Sequence, residues 1–237
     1  GYSFQSFPVV VLELSKEFSL SRFLATLPIP LFMIMSSLFM PFIGRVLDKG
    51  AIRSILMTGA SVYGLSLISL YFSFSYISFM LIFTLPMALG VTMMGNISVS
   101  KLISLWFRKY TGRALGIASV GVSFAGFVFP NLTSFLLGDL GLTWREAYLL
   151  FGTLIILINV PVVYLFVVNK PSDINQIPDG EEVTDNSEDT SGIDWTIPDL
   201  LKDRNFWILS LVFAIQFCSM MGILSHLTFF SEGAGWS

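Results

Sequence analysis

Of the 237 residues, 54 % are apolar and only 12 % are charged, whereas a soluble domain carries about a quarter charged residues. That balance excludes an ordinary water-soluble domain. The net charge of −3 gives no argument for a nucleic-acid partner, because ten of the sixteen acids lie between Asp173 and Asp203 and most basic residues sit in short loops elsewhere.

In chain order, the run from Tyr2 to Leu14 is apolar but too short to cross a bilayer, and it lacks the basic leader and cleavage site of a signal peptide. It is expected to be the tail, about residues 1–14, of a first membrane helix. With Gly1 in place of an initiator Met and Ser237 ending in a loop, the chain reads as a fragment cut at both ends. The forty-seven residues from Ser54 to Ser100 contain no Asp, Glu, Lys, Arg or His. As one helix they would reach ~70 Å at ~1.5 Å per residue, about twice the hydrocarbon thickness, so two crossings joined near Phe74-Ser75-Tyr76 are expected. Charge-free windows place the spans at 23–43, 54–72, 77–100, 114–137 and 147–168, with a further span at 205–230 and the start of an outer loop at 231–237. Backbone groups in hydrocarbon must bond within their own segment, which predicts an all-α polytopic bundle. The lone Cys218 lies in an apolar span and excludes a disulfide within one chain.

Loop charges set the expected orientation. If Gly44–Arg53 is cytoplasmic, alternation adds 101–113 and 169–204 to that side. It then holds Arg45, Lys49, Arg53, Lys101, Arg108, Lys109, Arg113, Lys170, Lys202 and Arg204, against Lys16, Arg22 and Arg145 opposite. The polar stretch 169–204, with Pro171, Pro178, Gly180 and its acids, is expected to be a flexible cytoplasmic linker. Trp195 and Ile197 could open a short amphipathic piece on the membrane surface, or belong to plain linker.

The most specific motif is Gly44-Arg45-Val46-Leu47-Asp48-Lys49-Gly50-Ala51-Ile52-Arg53. Gly44 permits a close helix approach, Asp48 can face a helix N-terminus, and the basic residues hold the loop to an anionic surface. The motif resembles the short signature between the second and third helices of the major facilitator superfamily of secondary transporters. Leu105–Gly116 and Gly141–Ala147 resemble that family's loop between helices four and five and its outer turn into helix six. Lys170-Pro171-Ser172-Asp173 with Pro178-Asp179-Gly180 is similar to the exit from helix six in the branch of monocarboxylate transporters and oxalate/formate exchangers. The resemblance implies two six-helix bundles moving solute by alternating access, with this chain holding most of the first bundle (1–168), the linker and the first helix of the second. The rest of the second bundle is then the missing partner. The resemblance also assigns Gly44, Asp48, Lys49 and Arg53 to an inner gate.

Polar groups inside spans are costly and are therefore site candidates. They are Asn96, Asn131, Asn159, Gln216 and His226. The resemblance favours Asn96, Gln216 and His226 as cavity-lining, although a helix–helix hydrogen bond explains an amide equally well. His226 titrates near neutral pH and could sense a coupling proton, or lie at the interface without function. Met87 three residues before Gly90 stands where many proton-coupled relatives carry an Arg, so that relay is absent. Gly116, Gly121 and Gly126, with small residues between them, suit either helix packing or a sliding hinge surface.

An intramembrane enzyme would need a nucleophile with its base, paired acids or metal ligands. No span holds an acid, and no His/Cys/Glu cluster or phosphate loop is present, so no catalytic residue, metal or cofactor is assigned. The expected function is secondary transport of a small organic solute, by resemblance a carboxylate, in the cell membrane. A receptor or scaffold on the same fold is the alternative.

Overall fold

The structure, a computed structural model, describes residues 2–179 and 201–233. Trp195 and Ile197 lie outside the described residues, as does the side chain of His226.

The described residues form two units, divided at Val183. The first is a bundle of α-helices. Helix α1 (Tyr2–Glu17) buries Phe7, Val10 and Leu14 along one stripe at helical spacing. A short α2 (Arg22–Thr26), capped by Ser21, runs through the helical Leu27 into α3 (Pro28–Asp48). Gly50, at φ +82°, ends α3 in the left-handed conformation that favours glycine, and its amide bonds back to Leu47. Helix α4 (Ile52–Tyr71) follows, and the serine-capped α5 (Tyr76–Thr84) begins the next crossing.

That crossing is broken into segments. Residues 77–100 fall within one membrane-length stretch, 76–106, as expected, but within it the chain forms three helices, α5, α6 (Pro86–Met94) and α7 (Asn96–Trp106), with breaks at Leu85 and Gly95. Pro86 lacks the amide that would continue α5, and Gly95 is extended at ψ −168°. Thr84, Thr92 and Ser98 turn their hydroxyls onto the carbonyls of Met80, Ala88 and Met93, which keeps these groups satisfied in an apolar setting. Helices α8 (Thr111–Gly138) and α9 (Trp144–Phe166, opened by a Thr143–Glu146 capping box) complete the unit. Five helical stretches, at 23–48, 52–71, 76–106, 111–138 and 144–166, are long and apolar enough to cross a membrane. The chain is an all-α polytopic membrane fold.

Helix α4 is the centre of the bundle, packed most extensively on α9 and α6. The contact is a close backbone approach: a methyl group on Gly64 would sit 2.9 Å from the Gly152 carbonyl, and one on Gly90 would sit 2.6 Å from the Tyr63 amide nitrogen. Without a hydrophobic drive between helices in lipid, such small-residue seams provide the packing. Aromatic rings of Phe7, Phe32, Phe79, Phe83, Trp144 and Tyr148 fill the remaining core. The glycines of α8 behave differently. A methyl group at Gly116 or Gly121 meets nothing within 4 Å, as at Gly44, so none of the three makes a close helix approach within this unit. Instead α8 turns Ile117, Val120, Phe124 and Phe127 outward.

At the end opposite Asp48, Glu17 joins α1 to α9. Its carboxylate accepts from Trp144 Nε1 at 2.6 Å and pairs with Arg145. The Arg145 guanidinium also donates to the Ser73 carbonyl at 2.7 Å and lies 4.5 Å from the Trp144 ring centroid. The second unit contains α10 (Arg204–Gly233).

Candidate functional site: an open cleft at the basic end

The last turns of α3 place Gly44, Leu47 and Asp48 on one face, at spacings of three and four residues. The first turns of α7 place Asn96, Ile97, Ser100 and Lys101 opposite. Together these seven residues line an open cleft of about 380 Å³, within the size range of small-molecule sites. Lys101 Nζ donates to Asp48 Oδ1 at 3.1 Å across its rim, with the Asp48 side chain 71 % exposed and that of Lys101 41 % exposed. Asn96 and Ser100 are both solvent-exposed.

The signature-loop residues thus divide. Gly44 and Asp48 share the cleft with Asn96. Lys49 caps α3 outside it. Arg53 is committed to α9: its amide donates to Asn169 Oδ1 at 2.8 Å, its guanidinium donates to the Tyr164 carbonyl, and that guanidinium stacks 4.6 Å from the Tyr164 ring centroid. The first turn of α4 is thereby stapled to the end of α9. Gln216 is exposed on α10, in the second unit. Gly116 and Gly121 lie on the outer face of α8, away from any neighbour within 4 Å.

Sequence reasoning passed over Lys101, although it is the first charge after the forty-seven-residue neutral run and so marks where α7 leaves the apolar zone. It also passed over the fastening of the chain beyond α9. Trp106 Nε1 donates to the Val168 carbonyl at 3.3 Å, and Pro171–Ile174 form a 3₁₀ turn. Asp179 then lies beside the α7–α8 turn, its carboxylate accepting from the amides of Arg108 and Tyr110, and its backbone bonding to Trp106 and Lys109. The stretch 169–179, the described part of the expected linker, is held against the bundle where one carboxylate accepts from two backbone amides.

The Major Facilitator Superfamily profile matches residues 1–237. The chain is 30 % identical over 119 residues to an MFS-type transporter of Gibberella moniliformis (strain M3125 / FGSC 7600), covering 49 % of this chain and 28 % of that protein. It is 23 % identical over 194 residues to the MFS-type transporter dbaD of Emericella nidulans, covering 80 % and 38 %. It is 30 % identical over 121 residues to the fujikurins efflux protein of Gibberella fujikuroi, covering 49 % and 25 %. The chain thus spans between 25 % and 38 % of the length of these curated relatives. With the profile matched from end to end over a bundle of membrane-length helices, the chain belongs to the major facilitator superfamily.

Proposed function

We propose that this chain supplies the N-terminal bundle of a secondary transporter that moves a small organic solute across the cell membrane by alternating access. The observation that carries the reading is the family match over all 237 residues. The similarity to an efflux protein for fujikurins favours export as the direction. An organic carboxylate is the solute class favoured by the Lys170-Pro171-Ser172-Asp173 exit from α9. The ten-to-three asymmetry of basic residues supports a cytoplasmic basic end and linker.

In this reading Gly44 and Asp48 form the inner gate, with Lys49 as a surface anchor and Arg53 holding the loop in register through α9. Asn96, Gln216 and His226 are the residues proposed to meet solute or a coupling ion. Gly116, Gly121 and Gly126 offer a smooth outer face on α8 for sliding against the second bundle.

The test is movement of labelled organic acids in vesicles carrying the full-length protein. Asp48→Asn is expected to lower the rate by about tenfold or more, equivalent to at least ~1.4 kcal/mol, with unchanged membrane insertion. Absence of movement for every acid tested, in either direction, would overturn the carboxylate reading.

A further inference from the structure

The two parts of α8 are held in different ways. Its C-terminal part is packed: Thr133 and Leu136 are buried, the Thr133 and Ser6 hydroxyls bond at 3.0 Å across to α1, and Phe129 meets Phe151 of α9 edge-on at 5.8 Å. By contrast, no residue from Thr111 to Leu132 is buried. A methyl group on Gly112, Gly116 or Gly121 would meet nothing within 4 Å. At ~1.5 Å per residue, the arm from Thr111 to Thr133 is ~33 Å long.

The fastening at the N-terminal end of this arm comes from the stretch after α9, which is built to present one carboxylate. Trp106 Nε1 donates to the Val168 carbonyl at 3.3 Å, and the Arg53 amide donates to Asn169 Oδ1 at 2.8 Å. Pro171 is buried and opens the 3₁₀ turn. Asn175, at φ +56°, closes that turn, with the Asn175 and Gln176 amides bonding back to the Ser172 and Pro171 carbonyls. Asp179 is thereby delivered to the α7–α8 turn. There its carboxylate accepts from the Arg108 amide and, at 3.0 Å, from the Tyr110 amide, while the Lys109 amide bonds to its carbonyl at 3.4 Å. Tyr110 precedes α8 and makes no cap bond with its own side chain, so the negative charge of Asp179 also stands at the positive end of the helix dipole. A pre-formed strap loses little freedom in making these bonds, so they form readily. Being open to water, they are of modest net strength and reversible.

We infer that Asp179 is a latch for α8. With the latch closed, the N-terminal arm is fixed beside the end of α7. With it open, the arm pivots about the Phe129–Thr133 anchor while the C-terminal part stays packed. The device concerns this bundle alone and does not depend on the solute proposed above.

The test uses full-length protein freed of Cys218 and of any further cysteine, carrying pairs of spin labels in lipid nanodiscs. Leu65→Cys on α4, the centre of the bundle, is the common reference. It is paired with Ile117→Cys on the arm or with Phe135→Cys beyond the pivot, all three positions being exposed. With Asp179 in place, pulsed electron resonance is expected to give one narrow distance distribution for each pair. Asp179→Ala is expected to raise the area outside the Ile117 peak, relative to the area within it, about tenfold, the effect of losing one net hydrogen bond to a charged group. The Phe135 pair is expected to stay unchanged. Asp179→Asn keeps an acceptor oxygen without the charge, and is expected to give the same change to a smaller extent.

Movement of the Ile117 pair with a fixed Phe135 pair upholds the latch. An Ile117 distribution that Asp179→Ala leaves unchanged would overturn it. So would equal broadening of both pairs, which marks a general loosening of the bundle and not a pivot.

Discussion

The two ends of the first bundle use the same chemistry, an acid and a base from different helices, to opposite effect. At one end Glu17 and Arg145 meet among Trp144, Phe18 and the Ser73 carbonyl, with the Arg145 side chain only 19 % exposed. At the other, Asp48 and Lys101 meet over an open cleft. The Glu17 side chain is itself 36 % exposed, so what makes the first pair a fixture is the number of bonds it shares: Trp144 Nε1 also donates to Glu17 and Arg145 also donates to the Ser73 carbonyl. Water around the second makes it exchangeable. A device that must open is better built from the second kind, and one that must stay shut from the first.

The contrast can be broken by substitution. Arg145→Met leaves the Glu17 carboxylate and the Ser73 carbonyl each short of a donor and removes the cation from the Trp144 ring, and is expected to cost about 3 kcal/mol in the unfolding of detergent-solubilised full-length protein. A loss no larger than that of Lys101→Met would mean that both ends are equally wet. Next in size, Gly64→Ala drives a methyl group against the Gly152 carbonyl and the Ile156 side chain. A loss of about 1–3 kcal/mol is expected from such overpacking, read in the same unfolding assay, and an unchanged midpoint would show that α4 and α9 are not in backbone contact. Smallest of the three, Lys101→Met should cost less than about 1 kcal/mol. That small loss should shrink further as salt rises from 0.1 M to 1 M and the screening length falls from ~10 Å to ~3 Å, while the Arg145→Met loss persists.

The membrane spans were legible in the sequence because the constraint behind them is local and severe: a charge in hydrocarbon is costly wherever it falls, so its absence over a stretch is a direct record of environment. What lies between helices was less legible. The partner of Asp48 is fifty-three residues away, and nothing in the local pattern around either residue links the two. Arg53 shows the same limit. Its place in the signature loop gave no sign of Tyr164 and Asn169, which folding brings within its reach: the Tyr164 ring and carbonyl hold the guanidinium, and the Asn169 side chain accepts from the backbone amide. The glycines mark it most plainly. Their even spacing made Gly116, Gly121 and Gly126 conspicuous, yet the seams run through Gly59, Gly64, Gly90 and Gly152. A small residue records that close approach is permitted, and only the arrangement of helices decides whether a neighbour is there. The breaks at Leu85 and Gly95 inside the 77–100 span went unread, since charge-free windows record environment and not helix continuity; at the second, Ser98 bonds the Met93 carbonyl.

The fastening at Asp179 has a mechanical consequence. The chain after α9 is still in contact with the bundle at Asp179, beside the α7–α8 turn. Asp179 thus ties the stretch after α9 to Phe107–Tyr110 and, through Trp106, to the end of α7, so loss of its carboxylate loosens the same helix that bears Asn96, Ser100 and Lys101.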